Sequence, residues 1–358
     1  MQIHLISGFL GSGKTTAIQT ACKVLITESL KVGVITNDQG IKLVDTGYFE
    51  SNAIPNRQVI NGCFCCNYNS LDENIQSLIA TNNPDVIFAE SVGSCTDIVA
   101  TVMKPLLQFK KDVAVTVSTF ADARLLQMLF IENKQLFNDE VNYIYTKQLE
   151  EAEIIVVSKI DLITRETQDS VQQFLQAKYR GKEIIFINGT DDASILQWLN
   201  IIQQTNKQSN TSSLNIDYDI YGAGEAALAW LDDEFELYND KGNAVEDALV
   251  LANNIFQQLQ NNNLPIGHLK LLINQQLKIS YTELQTPDTP VTISSAAKAH
   301  VILNARVQTD PVTLRKIISD AMNHLQKEKN CSINIIDSTA FIPGYPRPTH
   351  RITDNISA

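Results

Sequence analysis

Three cysteines lie within four positions of one short segment: Cys63, Cys65 and Cys66. The chain has six cysteines in all, so this segment holds half of them. Composition alone seldom places a C-x-C-C cluster by chance, which indicates a shared role for the three thiols. Thiolates select ions such as Zn²⁺, Cu(I) and Co²⁺. The cluster therefore favours a transition-metal site, with a redox pair and a buried structural trio as the alternatives.

Two residues elsewhere are candidates to complete such a site, because a closed zinc site has four ligands and three adjacent cysteines do not easily surround one ion. Asp38 follows the second apolar run in "TNDQG", where an Asx turn is the alternative interpretation. Cys95 lies in "ESVGSCTD", where a small buried side chain is the alternative. A site left open in this way suits a metal that must be released.

A glycine-rich segment, Gly8–Thr15, matches the phosphate-binding pattern G-x-x-x-x-G-K-[ST] between a predicted strand and a predicted helix. Its glycines let backbone N–H groups face a phosphate, and the helix beginning at Lys14 adds its N-terminal dipole. Lys14 is expected to reach the β and γ phosphates, and Thr15 to hold Mg²⁺. A glycine turn before a helix is the alternative. The predicted phosphate-binding residues are Gly11, Ser12, Gly13, Lys14, Thr15 and Thr16.

An acid ends the next apolar run, "PDVIFAES", at Glu90. In P-loop enzymes an acid in this position lies near Mg²⁺ and the attacking water, whereas a lone strand-terminal Glu is often a cap or a surface residue. Gly93 follows, as a γ-phosphate sensor loop requires. Asp38 ends a neighbouring strand, so it is predicted to lie near the phosphates as well. The predicted catalytic residues are thus Lys14, Asp38 and Glu90.

The segment "VVSKIDLI" indicates which base is bound. The Asp161 carboxylate can accept hydrogen bonds from N1–H and the exocyclic amine of guanine, which adenine does not offer. The stem of Lys159 would cover the face of the base. The usual guanine motif is NKxD, and Ser158 replaces its Asn, so the sequence predicts a weaker brace for the loop. A charged strand end is the alternative. Asn188, after the next strand, is a further candidate for the base pocket.

The elements that must hold these residues alternate along the first part of the chain. Short runs rich in Val and Ile, separated by helical stretches, are typical of strands buried on both faces of a parallel sheet. Residues 1–202 are therefore predicted to form an α/β P-loop GTPase domain with a mostly parallel sheet. A polar linker is predicted for 203–217, a smaller α+β domain for 218–336 and a proline-rich tail for 337–358.

Composition excludes several classes of protein. The 358 residues carry a formal net charge of −12, which disfavours nucleic acid as a partner. No apolar run approaches the roughly 20 residues of a membrane span, and the first residues indicate a strand rather than a signal peptide. Six cysteines in so long a chain do not indicate a disulfide scaffold. We expect a cytoplasmic protein without a membrane partner, and the composition leaves a homodimer open.

Five motifs in order, "SGFLGSGKTT", "NDQG", "GCFCC", "ESVG" and "SKID", resemble those of the CobW-like (cobalamin-synthesis-type) metallochaperone GTPases. The resemblance implies a protein that binds GTP or GDP with Mg²⁺ and holds a transition metal at its cysteine loop. Zn²⁺ fits thiolate and carboxylate ligands best, with Co²⁺ and Fe²⁺ close. It also implies delivery of that metal to a client metalloenzyme or cofactor-synthesis protein. Unstimulated hydrolysis is expected to be slow, because no catalytic arginine or glutamine is identifiable.

The sequence departs from the family pattern at three positions. Asp38 stands where the family has Glu in NEFG, Val92 replaces Thr in E-[ST]-T-G, and Ser158 replaces Asn. The histidine-rich segment that many relatives use to store metal is missing from the sequence. Transfer of metal is then the leading interpretation. A metal-sensing nucleotide switch without delivery and a P-loop small-molecule kinase are the alternatives.

Overall fold

The computed structural model describes residues 1–37, 44–60, 62–110, 113–205, 212–284 and 295–354. The predicted ligand Asp38 lies outside the described residues. The chain divides into two compact units. The first contains Met1–Gln39, Ala53–Gly224 and Pro346–Ala358, and the second contains Gly40–Asn52 and Glu225–Tyr345. None of the described helices is both long enough and apolar enough to cross a membrane.

Strands and helices are numbered here along the chain. The strands are β1 (Gln2–Gly8), β2 (Val32–Asn37), β3 (Asn56–Val59), β4 (Val86–Glu90), β5 (Ala114–Asp122), β6 (Ile154–Ser158), β7 (Glu183–Phe186), β8 (Leu228–Tyr238), β9 (Ile266–Ile273), β10 (Leu277–Tyr281), β11 (Lys298–Gln308) and β12 (Ser332–Phe341). The helices are α1 (Lys14–Thr27), α2 (Val44–Ser51), α3 (Tyr68–Asn82), α4 (Lys104–Phe109), α5 (Ala123–Leu126), α6 (Asp139–Glu151), α7 (Arg165–Lys178), α8 (Asp192–Gln204), α9 (Tyr218–Ala226), α10 (Ala244–Asn261) and α11 (Pro311–Lys329). Shorter helical turns cover Val99–Met103, Gln127–Ile131 and Ile160–Leu162.

The first unit is built on a seven-stranded sheet in the order β3-β2-β4-β1-β5-β6-β7. All of its described pairings are parallel. Every residue of β2, β4 and β6 is buried, as expected for strands covered by helices on both faces. The predicted P-loop fold with a mostly parallel sheet is confirmed. Its strands all end at one edge of the sheet, which is where such folds bind ligands.

Local capping explains where two helices near that edge begin. The Thr164 hydroxyl accepts a hydrogen bond from the Thr167 N–H at 3.2 Å, and α7 starts there. The Asp191 carboxylate accepts one from the Ser194 N–H at 2.8 Å, and α8 starts there. Each cap satisfies a backbone donor that the first helical turn leaves without a partner. The two caps fix the ends of the loops that follow β6 and β7.

The second unit has a five-stranded antiparallel sheet in the order β10-β9-β11-β8-β12. Helices α10 and α11 bury their apolar faces on it in one core that includes Leu269 and Leu271 of β9. Successive side chains of a strand point to opposite faces, so Lys270 lies on the other face. Helix α2 packs against β9 and β11 there, where Lys270 donates to Asp45. The predicted smaller α+β domain is confirmed.

The boundaries between the two units in the structure lie at other residues than those predicted from the sequence. Helix α9 belongs to the first unit up to Gly224, because Tyr221 is buried with Ile144 and Ile216. A Cβ at Gly224 would lie 2.5 Å from the Glu140 carbonyl oxygen, so the contact needs glycine. Strand β12 continues to Phe341, within the predicted tail. Strand β12 is mostly exposed, so its sequence shows little of the alternation of apolar and polar residues that predicts a strand.

Candidate nucleotide and metal site

The P-loop lies between β1 and α1. Gly8, Gly11 and Gly13 adopt φ values of 129°, 71° and 85°, which favour glycine. A Cβ at Gly8 would lie 2.2 Å from the Phe120 carbonyl oxygen, so this position also needs glycine for close packing. The Lys14 ammonium donates to the Gly8 carbonyl at 2.7 Å and is almost fully buried. The geometry fits a loop that wraps around a phosphate and places a lysine charge beside it.

Thr15 and Glu90 meet across the edge of the sheet. Strands β1 and β4 pair with Ile6 opposite Glu90, which brings the end of β4 next to the P-loop. The Thr15 hydroxyl donates to the Glu90 carboxylate at 2.9 Å, and both side chains are buried. Mg²⁺ prefers hard oxygen donors, so this hydroxyl and carboxylate fit the ion that a P-loop nucleotide carries.

The loop after β4 is fastened on two sides. A Cβ at Gly93 would lie 2.7 Å from the Leu10 side chain and 2.9 Å from its backbone nitrogen, so the loop touches the P-loop directly. The Gln148 amide of α6 donates to the Gly93 carbonyl at 3.0 Å and to the Cys95 carbonyl at 2.7 Å. Gln148 was not predicted from the sequence, because nothing local to α6 marks it.

A buried acid holds the next part of the same loop. The Glu151 carboxylate accepts from the Thr96 hydroxyl at 3.1 Å and from the Val99 N–H at 3.3 Å. Burial raises the pKa of Glu151 to about 8, with the nearby charge of Asp97 adding to the rise. Two side chains on one face of α6, three residues apart, therefore fix the loop that runs from Gly93 to the helical turn at Val99.

The predicted base-recognition residues lie at the end of β6. The Ser158 hydroxyl donates to the Ser12 carbonyl at 2.7 Å, so Ser158 braces the P-loop with a hydroxyl. Lys159 adopts φ 61°, and its ammonium lies 3.0 Å from the Asp122 carboxylate. Asp161 is exposed in the turn that follows. This contact was not revealed by the sequence, and the weaker brace expected of Ser158 stays a prediction.

Asn188 lies in the loop after β7. Its side-chain oxygen accepts from the Thr190 N–H at 3.0 Å and from the Thr190 hydroxyl at 2.8 Å. The next carbonyl, of Gly189, accepts from the Thr20 hydroxyl of α1 at 2.8 Å. The loop is thereby fastened to the helix that begins at the P-loop.

The three clustered thiols lie together between β3 and α3. The Cys63 and Cys65 sulfurs are 2.7 Å apart, the Cys65 and Cys66 sulfurs are 3.7 Å apart, and all three lie within 4.8 Å of one another. Cys63 and Cys65 are buried, and Cys66 is half-buried. All three are free thiols. Such a group of sulfurs offers a preformed set of ligands for a soft or borderline metal ion.

An asparagine on β2 positions the cysteine loop. The Asn37 side-chain oxygen accepts from the Phe64 N–H at 2.8 Å, and its amide donates to the Gly62 carbonyl at 2.7 Å. Strands β2 and β4 pair with Thr36 opposite Glu90. Asn37, which holds the cysteine loop, therefore follows directly after Thr36, the pairing partner of Glu90.

The thiols share their charge unequally. Hydrogen bonds from the thiols of Cys65, Cys66 and Cys95 lower the pKa of Cys63 well below its ordinary value. The hydrogen bond with Cys63 is the largest cause of the raised pKa of Cys65. The Cys63 thiol is also the largest cause of the rise in the pKa of Cys66, to about 12. The contacts among the thiols thus shift their pKa values in opposite directions. The predicted fourth thiol, Cys95, is buried, and it lines a small cavity together with Cys65 and Phe64.

Residues 346–354, here called the clasp, lie over the cysteine loop. The Thr349 N–H donates to the Cys65 carbonyl at 2.8 Å, and its hydroxyl donates to the Cys66 carbonyl at 2.9 Å. The Arg347 N–H donates to the Cys66 sulfur at 3.2 Å. The His350 ring packs edge-on against Tyr68, with 5.0 Å between the ring centroids. The sequence suggested only an extended proline-rich tail for this segment.

A charged pair fastens the far end of the clasp. Arg351 donates to the Asp97 carboxylate at 2.7 Å, and the Tyr218 hydroxyl donates to the same carboxylate at 2.7 Å. Asp97 lies two residues after Cys95, and its backbone adopts φ 65°. The clasp therefore contacts both segments that carry the clustered thiols.

Comparison with known proteins gives one family and several relatives. A family model described as "CobW/HypB/UreG, nucleotide-binding domain" matches residues 2–186. The zinc chaperone YeiR of Escherichia coli (strain K12) is 28% identical over 194 residues, which are 51% of this chain and 53% of that protein. The zinc chaperone CobW of Sinorhizobium sp is 25% identical over 245 residues, or 62% of this chain and 68% of that protein. The chain thus spans about half the length of YeiR.

Solved structures give more distant similarities. HypB from Helicobacter pylori, in complex with nickel, aligns with a TM-score of 0.44 at 16% identity, over 60% of this chain and 91% of that one. The signal recognition particle receptor FtsY from Elizabethkingia anophelis aligns with a TM-score of 0.37 at 18% identity, over 54% of this chain and 65% of that one.

Proposed function

The chain belongs to the CobW/HypB/UreG family, and from that premise we propose that it is a GTP-hydrolysing metallochaperone whose cargo is Zn²⁺. One observation carries the proposal. Three free thiols lie within 4.8 Å of one another on a loop held by Asn37, next in the sheet to the strand end at which Glu90 contacts the P-loop. The two similar curated proteins are both named zinc chaperones, which supports zinc over Co²⁺ or Fe²⁺.

The nucleotide half of the proposal assigns a role to each P-loop contact. Lys14 stabilises the charge that develops on the transferred phosphoryl group. Thr15 holds Mg²⁺, which when bound neutralises the phosphate oxygens, and Glu90 orients the attacking water. Asp161 selects guanine over adenine, with Lys159 covering the base. Turnover without a stimulating partner is slow, because none of these residues supplies a mobile arginine or glutamine to the γ-phosphate.

The metal half assigns Cys63, Cys65 and Cys66 as thiolate ligands of the cargo ion. A zinc site is tight when its ligands are preformed, and release then needs a change in the ligand set. The strand ends at Asn37 and Glu90 are neighbours, so nucleotide hydrolysis has a short path to the thiols. The recipient is a client metalloenzyme or cofactor-synthesis protein that accepts the ion when the site opens.

A titration of Zn²⁺ and of Co²⁺ into the reduced protein, with and without GTP and Mg²⁺, tests the proposal. Native protein should bind one ion per chain through thiolates, and the Cys65→Ser/Cys66→Ser double variant should lose that site while still binding GTP. Cys331→Ser, a half-buried cysteine of the second unit, is the matched control and should behave as the native protein.

GTP hydrolysis is tested separately, with a variant of the P-loop lysine. Lys14→Ala should lose GTP hydrolysis and the associated zinc transfer to a metal-free acceptor, yet keep metal binding. Equal metal uptake by the native protein and the double Ser variant would exclude the cysteine loop as the site. Hydrolysis retained by Lys14→Ala would exclude the assigned P-loop chemistry.

A further inference from the structure

Cys95 lies against the three clustered thiols although it comes from a different loop. It lines one cavity together with Cys65 and Phe64, and it helps to shift the pKa values of Cys63 and Cys65. Only 4% of Cys95 is exposed. Resting on the function proposed above, we propose that Cys95 is the fourth thiolate ligand of the cargo ion and the ligand through which nucleotide state sets metal affinity.

The distances among the sulfurs fit this ligand set. A tetrahedral Zn²⁺ with four Zn–S bonds of about 2.3 Å separates its sulfurs by about 3.8 Å. The Cys65 and Cys66 sulfurs are already 3.7 Å apart, whereas those of Cys63 and Cys65, at 2.7 Å, must move apart. Three sulfurs alone leave one corner of the tetrahedron open. Cys95, which lines one cavity with Cys65, is the described thiol placed to fill that corner.

Two side chains of α6 hydrogen-bond to the loop that carries Cys95. The Gln148 amide donates to the Cys95 carbonyl at 2.7 Å, and Glu151 accepts from the Thr96 hydroxyl at 3.1 Å. Both side chains come from α6 and are almost fully buried. Contacts of this kind, one shell out from a ligand, fix its position and tune the affinity of a metal site.

The two loops that carry the four thiols are held by different parts of the sheet edge. Nucleotide state can therefore change the position of one loop relative to the other. Asn37 of β2 holds the loop that carries Cys63 to Cys66. Cys95 instead follows Glu90, which accepts from Thr15, and Gly93, which packs against Leu10 of the P-loop. A shift of the P-loop on binding or losing the γ-phosphate therefore moves Cys95 relative to the other three thiols. A four-sulfur site becomes a three-sulfur site, and the ion is held less tightly.

The test compares Cys95→Ala and Cys95→Ser with Cys22→Ala, a matched buried cysteine on α1. X-ray absorption spectra of the zinc-loaded proteins count sulfur ligands, and absorption of the cobalt-loaded proteins reports thiolate charge-transfer intensity. We expect four sulfurs in the native protein and in Cys22→Ala, and three in both Cys95 variants. Zinc affinity should fall at least about tenfold in those variants.

The linkage with nucleotide is the decisive readout. In the native protein the zinc Kd should differ about 5- to 150-fold between the GTP-analogue and GDP states, and this factor should approach one in the Cys95 variants. Equal sulfur counts in native protein and Cys95→Ala, or an unchanged nucleotide effect, would overturn the inference while leaving the metallochaperone function intact. A native protein that binds no zinc would instead overturn the proposed function itself. Thermal unfolding of each variant confirms that it is folded.

Discussion

At the scale of single residues, Ser158 shows how one side chain can replace another by making a different contact. Its hydroxyl donates to the Ser12 carbonyl at 2.7 Å and lies 3.2 Å from the Ala121 carbonyl. The P-loop and the base-recognition turn are thereby joined through one oxygen atom. A serine is shorter than the asparagine of the usual motif, so the turn with Lys159 and Asp161 stays close to the phosphate loop.

This geometry leads to a prediction on base choice. Asp161→Asn should weaken GTP about 10- to 100-fold, because a charge-assisted hydrogen bond contributes about 1.5–3 kcal/mol. It should strengthen xanthosine triphosphate, because the new amide donates where xanthine accepts. Equilibrium binding of both nucleotides measures the exchange. Asp169→Asn, an exposed carboxylate of α7, is the control and should change neither affinity. Equal affinity of the native protein for ATP and GTP would refute guanine recognition by Asp161.

The residues that carry chemistry could be predicted where they end apolar strands. Glu90 and Ser158 each follow a run of buried Val, Ile or Phe residues, and the structure brings both to the P-loop. The assigned roles of these residues stay predictions. Gln148 and Asn37, which hold the loops of the site, could not be predicted. Their partners lie 22 to 55 residues away, and no local pattern records such contacts.

At the scale of elements, the clasp is held to the cysteine loop by three hydrogen bonds, and its His350 ring packs against Tyr68 of α3 and Phe109 of α4. Its partners in the cysteine loop are more than 280 residues away in the chain, as for Arg347 and Cys66. The sequence predicts an exposed tail for such a segment, because proline-rich chains lack the hydrophobic periodicity of a helix or a strand. In the structure it covers the half-buried thiol of the cluster, which is the sulfur with the most contact with solvent.

The clasp should therefore slow the exchange of metal. A Thr349→Val/His350→Ala variant loses the hydroxyl bond to Cys66 and the packing on Tyr68, about 1–2 kcal/mol in total. Zinc should then pass to a competing chelator about 5- to 30-fold faster than from native protein. Stopped-flow transfer to a chromogenic chelator measures the rate.

The matched control for that measurement is Thr353→Val, because the structure uses the Thr353 carbonyl and leaves its side chain exposed. Its rate should equal that of the native protein. If the double variant released zinc at the native rate, the clasp would have no part in metal exchange.

At the scale of the whole molecule, helix α2 is separated in sequence from the rest of its unit. Asp45 accepts from Lys270 at 2.6 Å and from Lys278 at 2.7 Å, and the Asn304 side chain accepts from the Val44 N–H at 2.9 Å. Burial opposes ionisation of Asp45, but the two ammonium groups outweigh it and hold its pKa well below the usual range. A carboxylate between two lysines thus fixes the start of α2 on the sheet.

Replacing that carboxylate should destabilise the second unit in a pH-dependent way. Asp45→Asn removes the negative charge that both lysines contact and should cost about 3 kcal/mol at pH 7. The folded pKa of Asp45 is lowered, so its contribution is present above about pH 4 and is lost as the pH falls further. Urea unfolding of native protein and variant from pH 7 to pH 3 should show a difference that shrinks below pH 4.

Asp240→Asn, in an exposed turn after β8, is the control and should unfold as the native protein does at every pH. A difference between native protein and Asp45→Asn that stayed constant down to pH 3 would show that the lysine contacts do not depend on the carboxylate charge.

The separation of α2 from its partners has a consequence for how the protein is made. Asp45 leaves the ribosome 225 residues before Lys270 and 233 residues before Lys278. At about 5–20 residues per second, α2 waits roughly 10 to 45 seconds for the sheet on which it packs. During that time Val44 and Phe49, fully buried in the finished molecule, have no core to enter. Nascent chains therefore expose these two apolar side chains until the sheet of the second unit has been translated.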